Sequence, residues 1–148
     1  MKCMKFSIQL LSKPNDVFAE LINFKNMPKL LPRQLKKIEI ISEKENQILT
    51  RETLVFKTIV KNEIIQECMH EIYDKEIKTI ITSGPAKNSI INMKVEGKEG
   101  GTYVEINIDL KLSLKAKILR PIVKKVYSNL LTGVLYKIDT LIEEGKSN

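Results

Sequence analysis

From about Ala116 to Glu144 the sequence keeps to a single helical period. At 3.6 residues per turn, Leu119, Val123, Val126, Tyr127, Leu130, Val134, Ile138 and Leu141 fall on one side, flanked by Leu131, Leu135 and Ile142. The apolar stripe takes up nearly half the circumference, more than a narrow coiled-coil seam needs, so this helix must lie against something large. A curved sheet wrapped around it would bury the stripe, and such an arrangement readily leaves a cavity between the two.

The rest of the chain supplies such a sheet. Met4, Phe6, Ile8 and Leu10 alternate with Lys5, Ser7 and Gln9, the period-2 pattern of a strand with one face buried. Ser12 or Lys13 then precedes Pro14, which suits a first helical position, and Val17, Phe18, Leu21 and Ile22 follow at helical spacing. A second short helix is expected from Asn26, as cap, to Pro32, as terminator. After these two short helices the chain reads as an antiparallel meander, with strands at about Leu35 to Ser42, Ile48 to Phe56, Thr58 to Ile72, Ile77 to Ser83, Ser89 to Glu96 and Thr102 to Leu114. The order is strand, two short helices, six strands, long helix: an α+β chain of 148 residues with room for one domain, 1–148, and one core.

Charged residues are costly to bury without a partner, so alternation assigns faces. In the last strand Val104, Ile106, Ile108, Leu110 and Leu112 point inward; in the one before it, Ile91, Met93 and Val95 do. The longest strand sends Lys61, Glu63, Glu67 and Glu71 out, which turns Val60, Asn62, Ile64, Gln66, Cys68, His70 and Ile72 in. Three of those seven are polar. Each unpaired amide or imidazole in a dry core would cost about 1 to 3 kcal/mol. Either a ligand-bearing cavity accepts Asn62, Gln66 and His70, or the strand bulges and sends some of them to solvent.

Composition bounds the chemistry. The start, Met1-Lys2-Cys3-Met4-Lys5, lacks the apolar run of a signal peptide, and no stretch approaches the roughly 20 apolar residues of a membrane span, so a cytoplasmic protein is expected. Cys3 and Cys68 show no paired spacing, and reduced thiols are the default. His70 is the single histidine, which rules out a multi-histidine metal centre, and Gly97 to Gly101 joins two strands instead of opening a helix as a phosphate loop would. No metal and no cofactor is expected. The formal charge of +7 gathers in two clusters: Lys111, Lys115, Lys117, Arg120, Lys124 and Lys125, and Lys25, Lys29, Arg33, Lys36 and Lys37. They are either a solvated face or a contact for anionic headgroups or nucleic acid; the four tyrosines form no stacking platform, so specific DNA binding is not expected.

The element order, Ser83-Gly84-Pro85-Ala86-Lys87-Asn88-Ser89, the Gly100-Gly101-Thr102 turn and the closing helix together resemble the START-related helix-grip (SRPBCC, birch-allergen-like) superfamily. Lys13-Pro14 through Phe18, Met27-Pro28 and Leu31-Pro32 resemble its coenzyme Q-binding and polyketide cyclase/dehydrase branches. The resemblance implies a helix-grip fold, a seven-stranded antiparallel sheet around the terminal helix. It also implies a hydrophobic ligand between the two, a lipid, quinone or polyketide-like molecule, and an entrance near the short helices. The residues expected to line that site are Asn62, Ile64, Gln66, His70, Met93, Ile106, Ile108, Val123, Tyr127, Leu130, Leu131 and Val134. Binding or transport is the leading expectation. The alternatives are a cyclase or dehydratase using His70 as general acid or base, and a basic module that contacts ribosome or membrane.

Overall fold

The computed structural model describes residues 3–57, 61–113 and 117–147. Strand β1 (Cys3–Leu10) leads into helix α1 (Pro14–Leu21), a 3₁₀ turn (Phe24–Asn26) and helix α2 (Met27–Leu30). Strands β2 (Leu35–Lys44), β3 (Gln47–Lys57), β4 (Lys61–Tyr73), β5 (Glu76–Ile81), β6 (Ile90–Lys98) and β7 (Gly101–Asp109) follow. A 3₁₀ turn (Lys117–Leu119) opens the terminal helix α3 (Arg120–Ser147). The seven strands form one antiparallel sheet in the order β1-β7-β6-β5-β4-β3-β2, so a meander is closed by the first strand pairing with the last.

Local chemistry explains most boundaries. Pro14 starts α1 where no N–H is needed, and α2 stops at Leu30 because Leu31, ahead of Pro32, leaves the helical region (φ −132°, ψ 63°). Asn26 does not cap α2 through its side chain: its backbone is already helical, continuing the preceding 3₁₀ turn. Strand β7 ends at Asp109, five residues short of the Leu114 expected from alternation: β6 begins at Ile90, opposite Asp109, and beyond it the Lys111 N–H is taken by Ser89 Oγ instead of a strand. Gly84 is held at φ +98°, where an added Cβ would meet the Ile65 carbonyl at 3.1 Å and Gln66 Cβ at 3.2 Å. Only glycine lets the β5–β6 connection turn so close over β4.

The alternation of the longest strand is kept. The β3–β4 register runs unbroken from Gln47↔Glu71 to Lys57↔Lys61, so no bulge diverts β4, and Gln66, Cys68 and His70 all face the interior. The register shifts lie instead in β2–β3, between Leu35 and Lys37 and between Ile40 and Ser42. Ile91, Met93, Val95, Val104, Ile106, Ile108 and Leu110 are buried as their period required.

Helix α3 lies against the concave face. Tyr127, Val134, Leu135 and Ile138 are buried, whereas Leu141, placed on the stripe by simple periodicity, is 42 % exposed. In the last turns the buried side has rotated toward Leu135, Asp139 and Ile142, because Asp139 is drawn in by the β1–α1 junction. Its Oδ1 accepts the Ser12 N–H at 2.8 Å and its Oδ2 the Leu11 N–H at 3.1 Å; Ser12 Oγ donates to Glu143 Oε1 at 3.1 Å, and Thr102 Oγ1 donates to the Ser12 carbonyl. This polar latch fixes the carboxyl-terminal half of α3 to the end of β1. No helix among the described residues is long and apolar enough to cross a membrane.

Candidate functional site

Between α3 and the sheet lies a cavity of about 120 Å³. Leu21 of α1, Phe24, Met27 and Leu31 form one side of it; Leu35, Ile38, Leu54, Ile77, Ile81, Ile91 and Met93 form the sheet side; and Tyr127, Leu130, Leu131 and Val134 of α3 close it. Polar side chains enter along one wall: Glu52 of β3, Gln66 and His70 of β4, and Thr79 of β5. Pairing brings them together, since Glu52 stands opposite Gln66 and Thr79 opposite His70.

These groups form two linked hydrogen-bonded units. Tyr127 donates its hydroxyl to Gln66 Oε1 at 3.0 Å, and the Gln66 amide donates to Cys68 Sγ at 3.5 Å. His70 is held on both ring nitrogens, with Nε2 2.9 Å from Thr50 Oγ1 and Nδ1 2.8 Å from Thr79 Oγ1, while Phe24 stacks on its ring at 4.2 Å. Thr50 Oγ1 donates to Glu52 Oε2 at 2.9 Å, and that same oxygen is 3.5 Å from His70 Nε2. A threonine hydroxyl has one proton. With that proton on Glu52, the Thr50–His70 bond requires the proton on Nε2, so His70 donates toward Thr50 and Glu52.

Electrostatics follow from this wiring. Burial alone would push the Glu52 carboxyl up, but the hydrogen bond and charge of His70, the Thr50 hydroxyl and the Cys68 thiol outweigh it and hold the carboxyl below its ordinary range. Burial, then the charge and hydrogen bond of Glu52, push the Cys68 thiol far up, which leaves it protonated and a poor nucleophile. Tyr127 is pushed up too, by burial first and then by Cys68 and Glu52, so its hydroxyl stays a donor. This side of the cavity therefore holds one carboxylate, one imidazole that donates through Nε2 and, reaching over from α3, one phenol. Among the described residues no cluster of His, Cys, Asp and Glu could hold a metal ion.

Of the residues expected from sequence to line this space, Gln66, His70, Met93, Tyr127, Leu130, Leu131 and Val134 do so. Ile106 and Ile108 are fully buried on β7, paired with the cavity-lining Met93 and Ile91, but do not line the cavity themselves. Ile64 and Val123 are half-buried against the core outside the cavity, and the Asn62 side chain lies outside the described residues. Glu52, Thr79 and the α1–α2 side of the wall were not foreseen. A signal for Glu52 was present: Arg51 and Glu52 are adjacent in a strand, so they cannot both point outward.

No family model and no curated protein sequence matches this chain. Solved structures do. A START superfamily protein from Mycobacterium smegmatis superposes with a TM-score of 0.76 at 13% identity, over 96% of this chain and 97% of its own. The fold is the helix grip. The same helix grip is found in Zhui aromatase/cyclase from Streptomyces sp. R1128 (TM-score 0.75, 9% identity, 95% of each chain). It is found again in the ginseng major latex-like protein 151 from Panax ginseng (TM-score 0.72, 15% identity, 94% of this chain and 95% of that one). At such identities the shared helix grip fixes architecture and leaves chemistry to the site.

Proposed function

We propose that the protein binds and carries a compact hydrophobic molecule with one polar group, in the cavity between α3 and the sheet. The observation that carries this reading is an apolar chamber with its polar groups gathered along the β3–β5 wall, where the Tyr127 hydroxyl reaches them from α3, the usual plan of a small-molecule site. Size narrows the ligand. An engineered apolar cavity of about 150 Å³ takes up benzene, so 120 Å³ suits a single ring or short chain, such as the head of a quinone or one ring of a polyketide-like molecule. A longer lipid requires the walls to part, and the unbranched Met27 and Met93 side chains are the ones that repack most readily. Gln66, His70, Glu52 and Tyr127 would orient the polar group. Cytoplasmic residence, and peripheral contact with an anionic membrane or the ribosome through the basic clusters, are part of the same proposal.

Native mass spectrometry of the purified protein tests it, together with thermal shift in 1-naphthol. Copurified small molecules, or a rise in melting temperature that Gln66→Leu weakens, are expected. A protein that never carries or responds to any small apolar molecule would end the carrier reading.

One observation favours a second reading. Glu52 and His70 stand 3.5 Å apart in the cavity wall, an acid–base pair able to move a proton to or from an enolisable or hydroxylated ligand, as cyclisation or dehydration requires. On that reading His70→Ala and Glu52→Gln abolish turnover and leave ligand affinity within a few-fold; activity indifferent to both changes excludes it.

A further inference from the structure

We infer that the amino-terminal end of α3 is a docking edge for an anionic lipid surface. Ile118 in the turn before α3 is 88 % exposed and Ile122, one helical turn on, is 44 % exposed. Leu11 and Ile65 are exposed as well, at 76 % and 61 %, but Ile118 and Ile122 stand together within one basic stretch of the chain. Around them stand Lys117 and Lys125, both exposed, with Lys111 on the approach and Lys124 half-buried beside them. From Leu110 to Ile138 the chain has no aspartate or glutamate. Among the described residues none of these four lysines is ion-paired.

The edge is held in place by hydrogen bonds to backbone carbonyls. Arg120 Nη2 donates to the Leu110 carbonyl at 3.1 Å, the Lys117 N–H to the Ser113 carbonyl at 3.0 Å, and the Ser113 N–H to the Pro85 carbonyl at 3.0 Å. Two aliphatic side chains are thus presented at the centre of a positive field. That combination selects the partner. Phosphodiester backbones of RNA would satisfy the lysines and offer nothing to Ile118 and Ile122, whereas a bilayer with anionic headgroups satisfies both, its phosphates taking the cations and its acyl boundary the isoleucines. The location adds a purpose. Tyr127, in the cavity wall, follows Ile122 by five residues, about 7.5 Å along the helix, so docking here would bring the cavity against the lipid surface.

That purpose rests on the carrier reading, but docking itself does not, and it is measured without any ligand. Full-length protein is sedimented with vesicles of phosphatidylcholine alone and of phosphatidylcholine with 30% phosphatidylglycerol, in about 0.1 M salt. Binding to the anionic vesicles at least tenfold tighter than to the neutral ones is expected, with further loss on raising salt. Ile118→Ser with Ile122→Ser, both on exposed positions, should weaken partitioning about tenfold or more with the circular dichroism unchanged, since two buried isoleucines contribute at least that much. Lys124→Glu with Lys125→Glu should weaken it by a similar factor. Absence of binding to anionic vesicles overturns the inference. So does binding that the serine pair leaves untouched, or a salt-sensitive affinity for single-stranded RNA that exceeds the affinity for vesicles and ignores the isoleucines.

Discussion

At the scale of single residues, the site is organised by a chain of hydrogen bonds from Thr79 through His70 and Thr50 to Glu52. The Glu52 carboxyl is held below its ordinary value, so its folded pKa lies under its unfolded one. The stability it contributes is therefore present above the unfolded value, near pH 4.5, and disappears as pH falls through the lower folded value. Urea unfolding between pH 6 and pH 3 should show this acid-limb loss, and Glu52→Gln should flatten it by about one proton's worth, roughly 1.4 kcal/mol per pH unit where the slope is steepest. An unchanged slope would mean the carboxyl is not perturbed. The two thiols make a second residue-scale contrast. Cys3 is exposed and Cys68 is buried with its thiol pushed up, so iodoacetamide should label Cys3 alone in the native protein and both in denaturant. The inward row Gln66-Cys68-His70 was legible from charge alternation alone. Glu52 was legible only in part: adjacency to Arg51 turns one of the two inward, but β3 mixes polar and apolar residues on both faces, and the choice rests on Thr50 beside it and His70 on the next strand.

At the scale of elements, α3 carries the fold and its two halves are held differently. The Asp139 carboxylate accepts two backbone N–H groups of the β1–α1 junction, and removing it leaves the buried Ser12 N–H without that partner and the part-buried Leu11 N–H to solvent. Asp139→Ala should cost about 2 to 4 kcal/mol in denaturant unfolding, more than an exposed α3 substitution. Gly133 behaves oppositely. A Cβ there would meet only Leu31 Cδ2 at 3.6 Å, an ordinary contact, so Gly133→Ala should stabilise the protein by about 0.5 to 1 kcal/mol while trimming the cavity wall beside Leu31. The helix, its proline-led start and the strand faces all follow from period and turn residues in the sequence. The rotation that exposes Leu141 does not, since it depends on Asp139 reaching a loop more than a hundred residues away.

At the scale of the whole molecule, the sheet is complete only when β1 pairs with β7, a contact between the two ends of the strand-forming sequence. A chain ended after Asp109 keeps all seven strands yet leaves their concave face without α3. It should collapse into a species that binds anilinonaphthalene sulfonate, lacks a sharp thermal transition and tends to aggregate. Cooperative unfolding of that fragment would show that the sheet does not need the helix. The architecture could be read from periodicity because a two-layer fold repeats its inside–outside rule at every residue. The cavity outline could not, because it is a remainder: α1 packs on β6 and β7, with Pro14 at Gly97, and the 3₁₀ turn brings Phe24 onto His70.

The Asp139 latch has a mechanical corollary. With Leu135, Ile138 and Asp139 pinned at the carboxyl-terminal end and Val123, Val126, Leu130 and Leu131 only half-covered toward the amino-terminal end, α3 is a lever with its fulcrum near Asp139. Widening the chamber for a bulkier guest would have to strain the looser arm against the Tyr127–Gln66 bond and the Arg120–Leu110 tether beside the turn that bears Ile118.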